Sequence, residues 1–216
     1  SFSPYVSNGG TTMAVAGEDF CVIAGDTRMS SGYSIQCRSV SKLFKLTDHC
    51  VLGTSGMQAE ATTLWKMLNY KITFYDHQHH QELATPGVAQ MLSNTLYYKR
   101  FFPYYTFNVL GGVTPEGKGV CYGYDAVGSF ESSPYVVTGT ASALITSILD
   151  NQVAFKTQPS NFKKLSLEET IDLVKDCFAI ACERDMFTGD SVDIAVVTSK
   201  GVEIITEKEK FRLRED

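Results

Sequence analysis

Residues Gly9–Lys42 read GGTTMAVAGEDFCVIAGDTRMSSGYSIQCRSVSK, and this stretch decides the fold. Two apolar runs, Thr11–Ala16 and Phe20–Gly25, flank the short polar break Gly17–Asp19. Strand-length runs that are rich in Val, Ile and Thr, separated by a Gly-containing turn, predict a β-hairpin. Because the runs are almost continuously apolar, we expect both faces of the hairpin to be buried.

An acid and an amine follow the hairpin. Asp26 comes directly after the second run, and Lys42 lies sixteen residues further on. Aimed back at the start of the first strand, these groups would form an amine-activated nucleophile site. An Asp26–Lys42 ion pair also satisfies two buried charges without catalysis, since an unpaired buried charge is costly. We hypothesise that the pair is buried, with Arg28 joining it, and that removing one partner would leave the other stranded.

The composition is that of an ordinary globular domain. The chain has 216 residues, of which 44% are hydrophobic and 20% charged, and this predicts one domain with a sizeable core. A net charge of −5 without a basic run disfavours nucleic acid or an anionic membrane as partner. We expect no membrane-spanning helix, no secretory signal, no metal and no cofactor.

Six cysteines occur without a CxxC pair: Cys21, Cys37, Cys50, Cys121, Cys177 and Cys182. Cys21 and Cys121 lie in apolar strand patterns, and Cys177 and Cys182 lie in a helix pattern. We therefore expect buried thiols in a reducing compartment rather than disulfides.

The rest of the chain predicts further strands and four helices. The expected strands are Tyr33–Cys37, Leu43–Leu46, Cys50–Thr54, a strand ending at Val113, Gly119–Tyr124, Tyr135–Thr138, Val192–Thr198 and Val202–Thr206. The expected helices run from Met57 to about Tyr75, from about Pro86 to Arg100, from Ser142 to about Asp150, and onward from the capping box Ser166–Glu169. This order is typical of the α+β class, with two packed sheets and helices outside them.

A histidine cluster occurs at His77, His79 and His80, in YDHQHHQE. Metal sites need ligands that converge from a rigid frame with outer hydrogen-bond partners. We predict a solvated loop between two helices here, and no metal site.

The opening of the chain resembles proteasome beta-type subunits, a branch of the N-terminal nucleophile hydrolases. The resemblance rests on Gly10–Thr12, Gly25–Arg28 and Lys42. Active members begin with a threonine sixteen residues before the aspartate. Counting back sixteen from Asp26 reaches Gly10, which has no hydroxyl. The resemblance covers nearly the whole chain and implies a four-layer α-β-β-α sandwich, with residues 1–10 as an N-terminal extension and 11–216 as one domain.

Four further residues match functional positions of the family. Gly56 matches the oxyanion donor, Ser142 a serine that assists the active site, and Asp185 and Thr188 an aspartate and a serine near the threonine. Read from the residues alone, these are a sheet-to-helix turn, a helix N-terminus and a helix-to-strand turn.

Three blocks narrow the resemblance to members at the sixth position of the beta ring, which lack the catalytic threonine. They are FSPY with NGG in the extension, KRFFPYY at Lys99–Tyr105, and LDNQVAFK at Leu149–Lys156. The resemblance implies a non-catalytic structural subunit of the 20S core particle. The particle would carry out ATP- and ubiquitin-dependent protein degradation in the cytoplasm and nucleus. Its partners would be a seven-membered beta ring, the alpha ring and the opposite beta ring, and Asp125 would line a neighbour's pocket. The apolar extension would pack on its own domain or on a neighbouring subunit.

Two catalytic alternatives stay open. Cleavage before Thr11 would free a new N-terminal threonine and give an active threonine peptidase. However, side chains alternate along a strand, so a one-residue slip turns Thr11 away from Asp26 and Lys42. The other alternative is a free-standing amidase that uses Ser1, although Ser1 has no Asp or Lys at the matching distance.

Overall fold

The computed structural model describes residues 2–158 and 164–207, which form twelve strands and four helices. The strands are β1 (Thr11–Ala16), β2 (Phe20–Asp26), β3 (Met29–Ser31), β4 (Ser34–Cys37), β5 (Leu43–Thr47), β6 (Cys50–Gly56), β7 (Thr106–Val113), β8 (Gly119–Tyr124), β9 (Phe130–Ser133), β10 (Tyr135–Gly139), β11 (Val192–Thr198) and β12 (Gly201–Glu207). The helices are α1 (Gln58–His79), α2 (Thr85–Tyr98), α3 (Ser142–Gln152) and α4 (Leu167–Arg184).

The strands form two five-stranded sheets and a short ribbon. The first sheet has the order β10-β1-β2-β11-β12, the second has the order β5-β6-β7-β8-β9, and β3 pairs with β4. All neighbouring strands are antiparallel. The content is therefore mixed α and β, as expected.

The predicted N-terminal hairpin is confirmed. Thr12 lies opposite Gly25 and Ala16 opposite Cys21, and the Gly17 N–H donates to the Phe20 carbonyl over 2.8 Å. Since β10 and β11 flank the hairpin, β1 and β2 occupy the middle of the first sheet. This central place explains why both strands are buried almost throughout.

Three apolar clusters hold these elements together. The first packs α3 and α4 on the first sheet, with Ile145 and Phe178 fully buried among its members. The second packs α1 and α2 on the second sheet. The third joins Ile23 of the first sheet to Val51 and Val109 of the second.

The helix boundaries show one error of prediction. α1 continues to His79, so His77 and His79 lie in its last turn and not in a loop. His80 closes the helix with a left-handed φ of 50° and donates its N–H to the Asp76 carbonyl. The three histidine side chains are exposed. The rings of Tyr75 and His79, one turn apart, contact each other in a tilted arrangement with centroids 4.4 Å apart, and this local contact favours the extra turn.

The prediction of a capping box is confirmed. Ser166 and Glu169 form the expected capping box at the start of α4. The Thr114–Gly117 turn closes with a 2.8 Å hydrogen bond from the Gly117 N–H to the Thr114 carbonyl. The short strands β3 and β9 escaped prediction, because each is polar and is defined only by its pairing partner.

All six cysteines are free thiols. Cys21, Cys50, Cys121 and Cys177 are buried, whereas Cys37 is half-buried and so is Cys182, which its helix pattern wrongly placed among the buried thiols. Burial raises the pKa of the Cys121 and Cys177 thiols to about 12, so both stay protonated at neutral pH. Within residues 2–158 and 164–207, no helix combines the length and apolarity that a bilayer crossing requires.

The N-terminal extension packs on its own domain. The Tyr5 ring lies 5.7 Å from Phe102 and 5.5 Å from Tyr105, and its hydroxyl donates to the Pro103 carbonyl over 2.7 Å. These contacts lead the extension toward the start of β1, where the matched site residues lie.

Candidate functional site

Gly10 faces the acid and the amine directly. A Cβ atom built on Gly10 would lie 2.1 Å from Lys42 Cε, 2.6 Å from its Nζ and 3.0 Å from Asp26 Oδ1. Gly10 has a φ of +88°, which favours glycine. A side chain here would thus point at both groups, and the Lys42 side chain fills the space that it would need.

Asp26 and Lys42 form a buried ion pair. Lys42 Nζ lies 3.1 Å from Asp26 Oδ1, and it also donates to the carbonyls of Asp26 at 2.9 Å and Arg28 at 2.7 Å. Asp26 is fully buried and Lys42 is 8% exposed. The three ammonium protons thus have three acceptors, as a buried lysine needs.

Backbone groups complete the shell of Asp26. Its Oδ1 accepts the Thr11 N–H at 2.8 Å, and its Oδ2 accepts the N–H groups of Arg28 and Gly189 at 3.2 Å each. Burial raises the pKa of Asp26, while the Lys42 ammonium and the backbone N–H groups oppose the rise.

The Arg28 guanidinium does not join this pair. Its Nε donates to Asp190 Oδ2 at 2.8 Å and its Nη1 to the Met186 carbonyl at 2.9 Å, so only the backbone of Arg28 reaches Asp26 and Lys42. Arg38 Nη1 binds the other oxygen of Asp190 at 2.5 Å. Partial burial would raise the pKa of Asp190, but the two guanidinium groups outweigh it and hold the pKa below its ordinary value.

The Thr11 hydroxyl points away from Lys42, as strand alternation predicts. It accepts the Ala141 N–H at 3.0 Å and lies 2.8 Å from the hydroxyl of Thr188. Thr188 Oγ1 in turn donates to Asp185 Oδ2 at 2.6 Å. Thr140, which the sequence did not single out, donates to the same carboxylate oxygen of Asp185. The matched residues Asp185 and Thr188 are therefore brought together around Thr11.

Gly56 and Ser142 line a cleft beside Gly9. Gly56 ends β6 with a φ of +106°, and its carbonyl accepts the Asn8 N–H at 2.9 Å. Ser142 is the first residue of α3. The cleft has a volume of about 380 Å³ and is also lined by Tyr105. Both matched residues thus lie at the predicted site.

Asp125 lies elsewhere, in the exposed turn after β8. Its Oδ1 accepts the N–H groups of Val127 at 3.0 Å and Ser129 at 2.8 Å, so the Asp125 side chain stabilises this turn. Among the described residues, no cluster of three or more His, Cys, Asp and Glu side chains forms a metal site.

Comparison with known proteins identifies the family. A family model described as proteasome subunit matches residues 6–197, nearly the whole chain. The chain belongs to the proteasome subunit family. The narrower resemblance was to members at the sixth position of the beta ring, which are called beta type-1. Curated relatives named proteasome subunit beta type-1 confirm it.

Three relatives show the extent of that similarity. Proteasome subunit beta type-1 of Arabidopsis thaliana is 51% identical over 208 residues, which cover 94% of this chain and 93% of the relative. The beta type-1 subunit of Petunia hybrida is 50% identical over 224 residues, which cover 100% of this chain and 97% of the relative. A probable proteasome subunit beta type-6 of Schizosaccharomyces pombe is 40% identical over 211 residues, covering 94% of both.

Sequence reasoning missed three residues of this proteasome-family site: Asn8, Thr140 and Asp190. Thr140 lies two residues before the matched Ser142, and Asp190 lies two residues after the matched Thr188. The sequence signal that could have found Thr140 and Asp190 is that each is a polar residue close to a matched residue, in a turn made of small residues. Nothing local marks Asn8 as buried, since it precedes the first strand.

Proposed function

We propose that this proteasome core beta subunit is non-catalytic and structural. The observation that carries the proposal is Gly10, whose missing side chain would point at Lys42 Nζ and Asp26 Oδ1. An N-terminal nucleophile needs an attacking oxygen activated by an adjacent base. The acid and the amine are in place here, and the oxygen is missing.

The alternative nucleophile at Thr11 is disfavoured by its contacts. The Thr11 hydroxyl is fully buried between Ala141 and Thr188, and its backbone N–H is bound to Asp26. Attack from this hydroxyl would require β1 to slip by one residue, which would invert every side chain of a buried central strand. The alternative at Ser1 lies outside the described residues.

The structural role that we propose is the sixth position of a seven-membered beta ring, in contact with the alpha ring and the opposite beta ring of the 20S particle. The particle would work in ATP- and ubiquitin-dependent protein degradation in cytoplasm and nucleus, and Asp125 would line a neighbour's substrate pocket. The similarity to beta type-1 subunits and the exposure of Asp125 support these assignments. We further propose that the three apolar clusters stack as the four-layer α-β-β-α sandwich of the family.

The test is covalent labelling of the assembled particle. Purified particles are treated with an electrophile directed at N-terminal threonines, and the intact mass of each subunit is measured. We expect no adduct on this chain, and residues upstream of Gly10 retained. Adducts on other subunits of the same particle are the positive control. An adduct on a chain that starts at Thr11 would overturn the proposal.

A further inference from the structure

The outer edge of β12 presents a row of backbone groups to its surroundings. In the first sheet β12 stands at one end, and β11 is its strand partner among residues 2–158 and 164–207. Every residue of β12, from Gly201 to Glu207, pairs with β11 without a register shift. Alternate residues of an edge strand direct their N–H and C=O groups away from the neighbouring strand. The outer edge of β12 is therefore a regular row of donors and acceptors.

The other sheet edges carry protection that β12 lacks. β9 has only four residues, and β10, with five, is preceded by Pro134. β5 changes register between Lys45 and Thr47, and the Trp65 indole of α1 donates to the Lys45 carbonyl at 3.3 Å. Short edges, proline, register shifts and covering helices are the usual devices that stop a sheet from pairing with another chain. In the part of the chain that the structure describes, the seven-residue strand β12 has none of these devices.

Isoleucine side chains are exposed on both faces of this edge. Ile204 is 49% exposed and Ile205 is 39% exposed. Since successive side chains of a strand point to opposite faces, each face carries one of them. Ile205 lies opposite Ile194 of β11, which belongs to the cluster under α3 and α4. A strand added beside β12 would cover both isoleucines and pair the outward backbone groups.

The charges of β12 disfavour a second copy of this chain as the added strand. Glu203 is exposed and forms no ion pair among the described residues, whereas Glu207 binds Lys175 Nζ at 2.6 Å. Two copies related by a twofold axis would pair their β12 edges antiparallel. The registers that pair most of the strand place Glu203 opposite Glu203, Ile205 or Glu207 of the second copy. Like charges directly opposite are destabilising, and no such register gives Glu203 a cation.

We propose that the outer edge of β12 is a strand-addition site, and that its occupant is an extended segment of a neighbouring proteasome subunit. The segment places one aliphatic side chain beside Ile204, another beside Ile205, and a basic side chain opposite Glu203. Because Glu203 and Ile205 lie on one face, two residues apart, the basic residue and one aliphatic residue of the occupant have the same spacing. Strand addition takes its affinity from main-chain hydrogen bonds and its specificity from alternate side chains. The inference rests on the proposed place of this chain in a particle.

The test is hydrogen–deuterium exchange of the β12 amides, resolved to single residues, in the full chain alone and in the assembled particle. In the chain alone, the amides bonded to β11 should exchange slowly and the outward amides fast. Assembly should slow the outward amides by at least about tenfold, since each then has a main-chain acceptor. Unchanged exchange of the outward amides in the particle would overturn the inference. Slow exchange that already occurs in the chain alone and depends on its concentration would assign the edge to a second copy, and would also overturn it.

Glu203→Lys tests the basic residue of the occupant. A lysine here would repel that residue, so the outward amides in the particle should exchange about tenfold faster than in the native chain. Glu131→Lys, at an exposed glutamate of the short edge strand β9, is the matched control and should leave the exchange of β12 unchanged. Glu203→Gln removes the charge without reversing it and should give a smaller change in the same direction, which keeps the test decisive if the lysine variant does not assemble. Native protection in the Glu203 variants that assemble would overturn the inference.

Failure of this inference is distinguishable from failure of the proposed function. A chain that carries a threonine adduct, or that is missing from the particle, refutes the non-catalytic structural role. A chain that is present and unlabelled, and whose outward β12 amides exchange as fast as in the chain alone, refutes only the strand-addition site.

Discussion

Two ion clusters lie side by side at this site, and the pKa values of their buried carboxyl groups shift in opposite directions. In the inner cluster, Asp26 and Lys42 are enclosed, and burial raises the pKa of Asp26 despite an ammonium and three N–H groups. In the rim cluster, Asp190 holds two guanidinium groups, one of which, Arg38, has a side chain that is 61% exposed. At Asp190 the two guanidinium groups outweigh the effect of burial, so the pKa of Asp190 is lowered. The degree of burial, and not the number of partners, decides whether desolvation or the neighbouring cations set the direction of the pKa shift.

The largest effect is expected for Lys42→Met. The substitution leaves Asp26 buried without its cation, so the free energy of unfolding should fall by about 3 kcal/mol, as measured by urea denaturation. Lys45→Met is the control, because the Lys45–Asp48 pair is exposed and its loss should cost less than about 0.5 kcal/mol. If the two variants were equally stable, the inner cluster would be no different from a surface pair.

Gly10→Ala should rank second. The new methyl group would meet Lys42 Cε and would sit at a φ of +88°, so the loss of stability should be about 2–3 kcal/mol. Gly32→Ala isolates the contact, because Gly32 has a φ of +56° and no atom within 4 Å of a built Cβ. Backbone strain alone should cost it about 1 kcal/mol in the same denaturation experiment. Equal losses would mean that Lys42 moves aside freely.

Asp190→Asn should cost less, about 1 kcal/mol at pH 7, since Arg38, one of the two cations that Asp190 binds, has an exposed side chain. Asn tolerates the φ of +72° at this position, so the change leaves the backbone unstrained and removes the charge together with one of the two acceptor oxygens. The folded-state pKa of Asp190 lies below the ordinary 3.8 that applies in the unfolded chain. The carboxylate therefore stabilises the fold fully above the unfolded value, and this contribution is lost as the pH falls through the folded value.

Thermal unfolding of both chains across the acid range measures this dependence. The gap between the native chain and Asp190→Asn should close from about pH 4 downward. Asp48→Asn, at an exposed carboxyl with one lysine partner, is the control and should be nearly neutral at pH 7. A gap that widened in acid would contradict the lowered pKa.

The smallest effect concerns two half-buried thiols that report on the clusters. The N–H and hydroxyl groups of Ser39 lower the pKa of Cys37, next to Arg38 on the rim. Burial raises the pKa of Cys182, near Asp26, to about 12. Native alkylation followed by peptide mass spectrometry should therefore modify Cys37 more than about tenfold faster. Cys37→Ser should remove the fast phase of alkylation. If Cys182 were alkylated before Cys37, the inner cluster would have to open readily.

Local sequence patterns predicted much of the fold. The hairpin from Thr11 to Asp26 and the capping box at Ser166 follow from strand periodicity and from a short side chain beside a helix start. The α1 end was missed because polar residues such as His77 give a weak signal in a solvated last turn. The β3 strand was missed because three residues carry almost no periodicity.

The sequence by itself determined that a glycine, Gly10, precedes Asp26 by sixteen residues and that Lys42 follows Asp26 by the same interval. Only the tertiary structure decided that Arg28 binds Asp190, that Thr11 contacts Thr188 across 177 residues, and that the Asn8 side chain binds the Ser30 carbonyl. The absence of an atom is a property of one residue and can be read from the chain alone. A hydrogen bond between distant residues depends on which surfaces the sheets and helices bring together, and no local pattern encodes that.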